Sequence, residues 1–143
     1  MELEIKHLAP YLPYKLKCKW NKSKPYELIG LRNGNESVNN ELWIWKDGMD
    51  YGTGYLYECV PILRPLSDLN NEIVINGEKH QMWLLINGQK ALENGEIENM
   101  NGYQYSILEL SYNKIQTILK FHFDIFNLIG QGLAVDINTI NHE

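Results

Sequence analysis

The sequence has few of the residues that hold small secreted proteins together. Its 143 residues include only two cysteines, Cys18 and Cys59, and no basic and apolar leader opens the chain. We therefore expect no disulfide framework, and both thiols are expected to be small buried side chains in a reducing compartment. No apolar run approaches the ~20 residues that a membrane-spanning helix needs. We expect one cytoplasmic domain over residues 1–143, without a membrane segment.

Sequence motifs for chemistry are also missing. The four histidines are His7, His80, His122 and His142, and no two of them have the spacing that presents two imidazoles to one metal ion. The run Gly52-Thr53-Gly54 lacks the third glycine of a dinucleotide fingerprint and the lysine of a phosphate loop. The sequence therefore predicts no catalytic residue, no cofactor and no metal site.

Positive charge is concentrated at the beginning of the chain. The formal net charge is −5, made up of +4 over residues 1–24 and −9 over the rest. Residues 15–20 alternate between lysine and apolar side chains, which predicts a strand with one lysine face. Lys15, Lys17 and Lys19 are candidates for phosphate contacts with nucleic acid. The favoured alternative is an edge or solvated strand whose lysines prevent sheet pairing.

Glycine-containing turns predict two hairpins. Asn76-Gly77 follows an apolar run and tolerates the positive φ angles of a tight turn. The segment 46–54, with several glycines, separates two apolar arms at residues 42–45 and 55–60. Both patterns predict short antiparallel strands in the N-terminal half.

The last third of the chain has helical periodicity. Ser111 is a suitable N-cap, apolar residues recur near a spacing of 3.6, and Gly130 and Gly132 end the pattern. The spacing predicts a helix over residues 112–129. The predicted fold class is therefore α+β, with short antiparallel strands in the N-terminal half packed by a long C-terminal helix. Residues 83–110 have no clear period.

Three segments resemble small uncharacterised proteins encoded by phages and prophages of anaerobic gut bacteria. They are LAPYLPY at residues 8–14, PILRPLSDL at residues 61–69, and FDIFNLI at residues 123–129 followed by GLAVDIN at residues 132–138. The resemblance implies a mobile-element protein working in a bacterial cytoplasm. It implies no activity, and it assigns no catalytic residue to this chain.

Aromatic residues are dense around the longer hairpin. If the hairpin forms, each of its strands carries two aromatic side chains on one face, and such a surface can bind a peptide or a sugar by stacking. Core packing is the more frequent role of such residues, but amphipathic aromatics are also enriched at protein interfaces. The candidate interaction surface consists of Trp43, Trp45, Tyr55 and Tyr57.

Two further polar residues have a structural and a functional interpretation. His122 falls on the apolar face of the predicted helix, where a partly buried structural histidine is expected more often than a ligand or base. Arg64 precedes Pro65, and its guanidinium fork is predicted to hold Asp68 or Asp136. Both residues are therefore assigned structural roles.

The sequence favours a non-enzymatic, phage- or prophage-encoded accessory or adaptor protein that contacts an unknown protein partner. One alternative is a nucleic-acid-associated protein that uses the basic N-terminal strand. The other is an enzyme whose site is assembled from distant segments, with His122 as its first candidate residue. An enzyme would bring His122 to a carboxylate or thiol in a cleft, whereas an adaptor would expose a flat or convex aromatic surface.

Overall fold

The computed structural model describes residues 2–20, 23–33, 41–92 and 94–140. Within these ranges the chain is mostly β, with eleven strands in three sheets and two α-helices. The strands are β1 (Lys17–Lys19), β2 (Tyr26–Arg32), β3 (Leu42–Asp47), β4 (Asp50–Tyr55), β5 (Val60–Leu63), β6 (Glu72–Ile75), β7 (Glu78–Gln81), β8 (Lys90–Ala91), β9 (Glu96–Glu98), β10 (Gln104–Ser106) and β11 (Val135–Asp136). The α-helices are α1 (Ile5–Leu8) and α2 (Tyr112–Lys120), and 3₁₀ helices occupy Ala9–Tyr14, Leu56–Glu58, Leu66–Asn70, Met82–Ile86, Ile107–Glu109 and Ile137–Thr139.

The predicted α+β class is wrong, because the helix predicted over residues 112–129 ends early. Helix α2 has nine residues, and His122 then adopts a left-handed backbone with a φ of 64°. The His122 N–H donates to the Leu119 carbonyl at 2.9 Å, and the Phe123 N–H donates to the Ile118 carbonyl at 3.2 Å. These two bonds form a Schellman motif, whose left-handed position is usually glycine. The periodic apolar residues beyond it reach the core from a turn.

This turn is built around a buried carboxylate. Asp124 Oδ1 accepts a hydrogen bond from the Leu128 N–H, and Oδ2 accepts one from the Ile129 N–H, both at 2.8 Å. Burial raises the pKa of Asp124, and the hydrogen bonds from backbone N–H groups oppose that shift. The side chain satisfies donors that would otherwise be buried without partners.

The six-stranded sheet has the order β11-β5-β1-β2-β3-β4. Strand β11 is parallel to β5, and the other neighbours are antiparallel. The strand predicted over residues 15–20 is confirmed over Lys17–Lys19 only (β1), with Leu16 and Cys18 completely buried and Lys17 exposed. Because β1 pairs with β5 on one side and β2 on the other, the prediction that it is an edge strand is wrong. Among the described strands, the sheet edges are β11 and β4.

The hairpin predicted at Asn76-Gly77 is confirmed, whereas the prediction for the longer hairpin is wrong in its second strand. Strands β6 and β7 are joined by Asn76 and Gly77, whose φ angles are 51° and 82°. Strand β3 pairs with β4 (Asp50–Tyr55), which lies almost entirely in the segment predicted as the turn, instead of with an arm over residues 55–60, and only two residues separate the strands. The segment after β4 is a 3₁₀ helix instead of a second strand arm.

The core is one connected cluster of apolar side chains drawn from both ends of the chain. Strands β8 to β10 form a separate three-stranded sheet in the region that had no clear period. No helix in the described ranges is long and apolar enough to cross a membrane. The largest fully buried side chains are Trp43, Tyr11, Phe123, Leu8, Leu16, Leu28, Leu56, Leu63, Leu66, Leu69, Ile86 and Ile97.

Candidate functional site

Strand β4 ends the large sheet with an open edge among the described residues. Gly48 has a φ of 64° at the first position of the two-residue turn, as a type II′ hairpin requires. In such a hairpin the residues next to the turn exchange both backbone hydrogen bonds, and the pairs then alternate. The backbone groups of Gly52 and Gly54 therefore face β3. Those of Tyr51, Thr53 and Tyr55 face away from the sheet.

The two glycines of β4 are required by tryptophans on the neighbouring strand. Gly52 is paired with Trp45, and Gly54 is paired with Trp43. A Cβ added to Gly52 would overlap the Trp45 indole, and one added to Gly54 would lie 2.7 Å from the Trp43 Nε1. The indoles therefore cover the glycines on the core-facing side of the sheet.

Trp43 and Trp45 belong to a packed aromatic cluster. The Trp20 ring centroid lies 5.2 Å from that of Trp43 and 5.5 Å from that of Trp45, while Tyr26 lies 4.7 Å from Trp45. Trp43 is completely buried. It therefore packs in the core and is not part of an exposed interaction surface. The indole N–H groups of Trp43 and Trp45 are buried without a hydrogen-bond acceptor among the described residues.

The opposite face of β4 exposes tyrosines. Tyr51 is 63% exposed, Tyr55 38% and Tyr57 58%. The Tyr55 and Tyr57 rings are stacked, with centroids 5.4 Å apart and planes 12° apart, and the Lys46 ammonium lies 6.0 Å from the Tyr51 ring centroid. We call Tyr51, Tyr55 and Tyr57 the tyrosine surface. It includes two of the four predicted surface residues, on the side of the sheet away from Trp43.

Tyr51 is absent from the interaction surface that the sequence predicts. The available signal was the alternation over residues 51–55, where tyrosine, threonine and tyrosine are separated by glycines. That alternation places Tyr51 and Tyr55 on the same face of a strand. The glycines of this segment predict a turn, but the structure places Gly52 and Gly54 in a strand against indole rings.

The candidate phosphate-binding lysines lie near β1. Lys15 has a left-handed backbone, with a φ of 57°, and lies just before the strand. Lys17 and Lys19 lie on the face opposite Cys18, and Lys17 is paired with Glu27 on β2. Glu27 therefore places a negative charge beside Lys17, one of the lysines predicted to contact phosphate.

The surroundings of His122 differ from those of an acid–base catalyst. Its Nε2 lies 2.6 Å from the Tyr14 carbonyl oxygen. Burial lowers the pKa of His122, the Tyr14 hydrogen bond opposes that shift, and the charges of Arg64 and Lys17 lower it further. Among the described residues, no carboxylate or thiol bonds to the imidazole, and its hydrogen-bond partner is the Tyr14 carbonyl.

Arg64 packs instead of forming the predicted ion pair. Its Nε donates to the Phe121 carbonyl at 3.4 Å, and its guanidinium lies 5.9 Å from the Phe123 ring centroid. Burial lowers the pKa of Arg64, while the charges of Asp68 and Asp136 oppose that shift. Among the described residues it forms no salt bridge with either aspartate.

In the acidic depression beside Arg64, Asp68 and Asp124 form hydrogen bonds with neighbouring groups of the protein. The depression is lined by Asp68, Asp124 and Asp136 together with two asparagines. Asp68 accepts a hydrogen bond from Asn138 at 2.9 Å, and Asp124 binds backbone N–H groups as described. Within the described ranges, no three histidine, cysteine or acidic residues are placed to hold a metal ion.

Both cysteines are buried and free, as expected. Cys59 is 3% exposed and lies within hydrogen-bond reach of Cys18. Burial raises the pKa of the Cys59 thiol, and its neighbour Cys18 raises it further. A raised pKa keeps the thiol protonated and therefore a weak nucleophile.

Comparison of this chain with protein-family models, curated proteins and solved structures finds no match.

Proposed function

We propose that this chain is a non-enzymatic accessory or adaptor protein that acts through protein contacts. Its contact site in this proposal is the open edge of β4 together with the tyrosine surface. The observation that carries the proposal is the coincidence of a six-residue edge strand with three exposed tyrosines. The resemblance to phage and prophage proteins supplies the proposed biological setting.

The backbone of β4 supports binding by strand addition. Tyr51, Thr53 and Tyr55 direct N–H and C=O groups away from the sheet, and an extended segment of a partner can pair with them. Natural sheets usually protect their edges with lysine, proline, bulges or very short strands. Residues 51–55 contain neither lysine nor proline, whereas the other sheet edge, β11, has only two residues.

The tyrosines support a protein partner as well. Tyrosine has a large apolar ring and a polar hydroxyl group, so it suits a surface that is exposed in one state and covered in another. The stacked pair Tyr55 and Tyr57 extends the surface past the end of β4. Stacking holds both rings in place and lowers the entropy lost when a partner binds.

Site-specific photo-crosslinking tests this function. A photoreactive amino acid placed at Tyr57 should give a covalent adduct with a protein in cells that produce the chain. The matched control position is Tyr112, which is 73% exposed on α2, and it should not give that adduct. Equal adducts from both positions, or none from Tyr57 and Tyr51, would contradict the proposal.

A binding measurement with the purified crosslinked protein completes the test. The double variant Tyr51→Ser and Tyr57→Ser should weaken its binding by at least about tenfold, because exposed aromatic anchors often dominate interface energetics. The variant Tyr112→Ser should bind as the native chain does. Unchanged binding by the double variant would exclude the tyrosine surface as the contact site.

A further inference from the structure

The exposed strand of the contact site has a symmetric sequence. Residues 51–55 read Tyr-Gly-Thr-Gly-Tyr in both directions, with Thr53 at the centre. We infer that the partner of the β4 edge is a second copy of this chain, paired antiparallel through a two-fold axis at Thr53. This inference rests on the proposal that the β4 edge binds protein, and it names the occupant.

The backbone pattern favours this axis over its neighbours. An axis at Thr53 places Tyr51 opposite Tyr55 of the second copy. Tyr51, Thr53 and Tyr55, whose backbone groups face away from the sheet, then all pair with residues of the same kind in the second copy. An axis at Gly52 or Gly54 pairs only two of the three. An axis between two adjacent residues places outward-facing backbone groups of one copy opposite inward-facing backbone groups of the other. No ladder of hydrogen bonds forms in that register. The Thr53 register therefore uses the open edge most fully.

The side chains match in the same register. On the exposed face, a Thr53 pair is flanked on each side by Tyr51 and Tyr55 from different copies. Aromatic pairs and threonine pairs are among the favourable cross-strand neighbours in antiparallel sheets. On the other face, Gly52 meets Gly54 of the second copy, so no side chain is added beside the indoles that already cover these glycines.

The charge pattern is compatible with a second copy despite the net charge of −5. Residues 51–55 carry no charge, so the paired strands bring no like charges together. Asp50, the nearest charged residue of the strand, falls opposite Leu56 of the second copy, which is uncharged. A strongly charged foreign strand would find no matching charges along residues 51–55.

A charge-swap experiment tests both the occupant and the register. On the two-fold axis, position 53 faces itself with Cα atoms about 5.5 Å apart. The native chain should sediment as a dimer over a concentration series. Thr53→Lys alone and Thr53→Asp alone should each weaken dimerisation by at least about tenfold, because like charges meet. An equimolar mixture should restore a dimer that contains one copy of each.

The control uses a strand residue with similar exposure. Val74 on β6 is 62% exposed, and Val74→Lys or Val74→Asp should leave the dimer unchanged. Circular dichroism of all four variants checks that each is folded. A monomeric native chain overturns self-association. A native dimer that both Thr53 variants retain, or a mixture that stays monomeric, overturns the Thr53 register.

The outcome also separates this inference from the proposed function. If the chain is monomeric but Tyr57 crosslinks a different protein, the inference fails and the protein-contact function stands. If the chain is monomeric and Tyr57 and Tyr51 give no adduct, both fail. If the Tyr57 adduct is a covalent dimer and the charge swap behaves as expected, both stand.

Discussion

The Nε2 nitrogen of His122 lies 2.6 Å from the carbonyl oxygen of Tyr14, although the two residues are separated by 108 positions in the sequence. A carbonyl oxygen only accepts hydrogen bonds, so Nε2 carries the proton and Nδ1 is the atom that takes up a second one. This contact fixes the end of α2 against the end of the N-terminal 3₁₀ helix. It gives His122 a structural role with a measurable pH dependence.

We expect the contribution of His122 to stability to fall as the pH is lowered below about 6.5, the ordinary pKa of histidine. Because burial lowers the pKa of His122 in the folded chain, the unfolded chain takes up the proton at higher pH. The slope from this residue is at most about 1.4 kcal/mol per pH unit, and it ends once the folded chain is also protonated.

Urea unfolding at a series of pH values checks this expectation. His122→Asn should flatten the dependence, since asparagine tolerates the left-handed backbone but does not titrate. If the slope of His122→Asn between pH 5 and 7 equals that of the native chain, His122 is not its source.

Tyr11→Phe should destabilise the fold by about 1–3 kcal/mol. The hydroxyl donates to the Phe123 carbonyl at 2.5 Å and accepts from the Ile125 N–H at 3.2 Å, and the ring is completely buried. The substitution removes both bonds and leaves two buried backbone groups without partners. Urea unfolding should show a lower midpoint with an unchanged slope.

The control for Tyr11 is Tyr112→Phe, because the Tyr112 side chain is 73% exposed. Its stability should lie within about 0.5 kcal/mol of the native value. A Tyr11→Phe variant as stable as this control would mean that water or a backbone shift replaces the hydroxyl. The structural role assigned to Tyr11 would then be wrong.

Gly52→Ala should destabilise the chain by about 1–3 kcal/mol because the new methyl group displaces the Trp45 ring. The sign of this change in stability is informative, because a chain with glycine inside a strand is ordinarily less stable than the same chain with alanine. Val74→Ala, at an exposed strand position on β6, should change stability by no more than about 0.5 kcal/mol. Unfolding followed by tryptophan fluorescence measures both. A stabilised Gly52→Ala variant would refute the close contact.

Replacing Lys15, Lys17 and Lys19 with glutamine should not cause self-association through β1. Both sides of β1 are already paired with neighbouring strands, so the lysines do not protect an open edge. The native chain and the triple variant should also show equally little binding to DNA or RNA.

Sedimentation and binding measurements at several salt concentrations check this pair of expectations. The control variant replaces three lysines elsewhere, namely Lys79, Lys90 and Lys114. Binding by the native chain that weakens steeply with salt and is lost only in the first variant would indicate phosphate contacts. The chain would then be a nucleic-acid binder.

Local sequence patterns predicted some elements well. The alternation before Trp20 located β1, and Asn76-Gly77 located the turn between β6 and β7. The helix predicted after Ser111 is too long, because the observed helix ends where His122 adopts a left-handed backbone. Sequence rules assign that position mainly to glycine or asparagine, and the apolar spacing continued across it.

The candidate site could be predicted only in part. Density of aromatic residues identified Trp43, Trp45, Tyr55 and Tyr57, but the strand order decides which of them are exposed. That order depends on the pairing of β1 with β5 and of β5 with β11, contacts between distant segments that no local pattern encodes. The side of β4 that faces solvent was therefore not predictable from the hairpin alone.

The contact between Tyr11 and the C-terminal turn also has a consequence during biosynthesis. The Tyr11 hydroxyl binds the backbone of Ile125, 114 residues later in the chain. At ordinary translation rates the ribosome needs on the order of ten seconds to make that stretch. Until Ile125 leaves the exit tunnel, the Tyr11 hydroxyl lacks this backbone partner, so the packing of the N-terminal 3₁₀ helix is completed only after the C-terminal turn has been made.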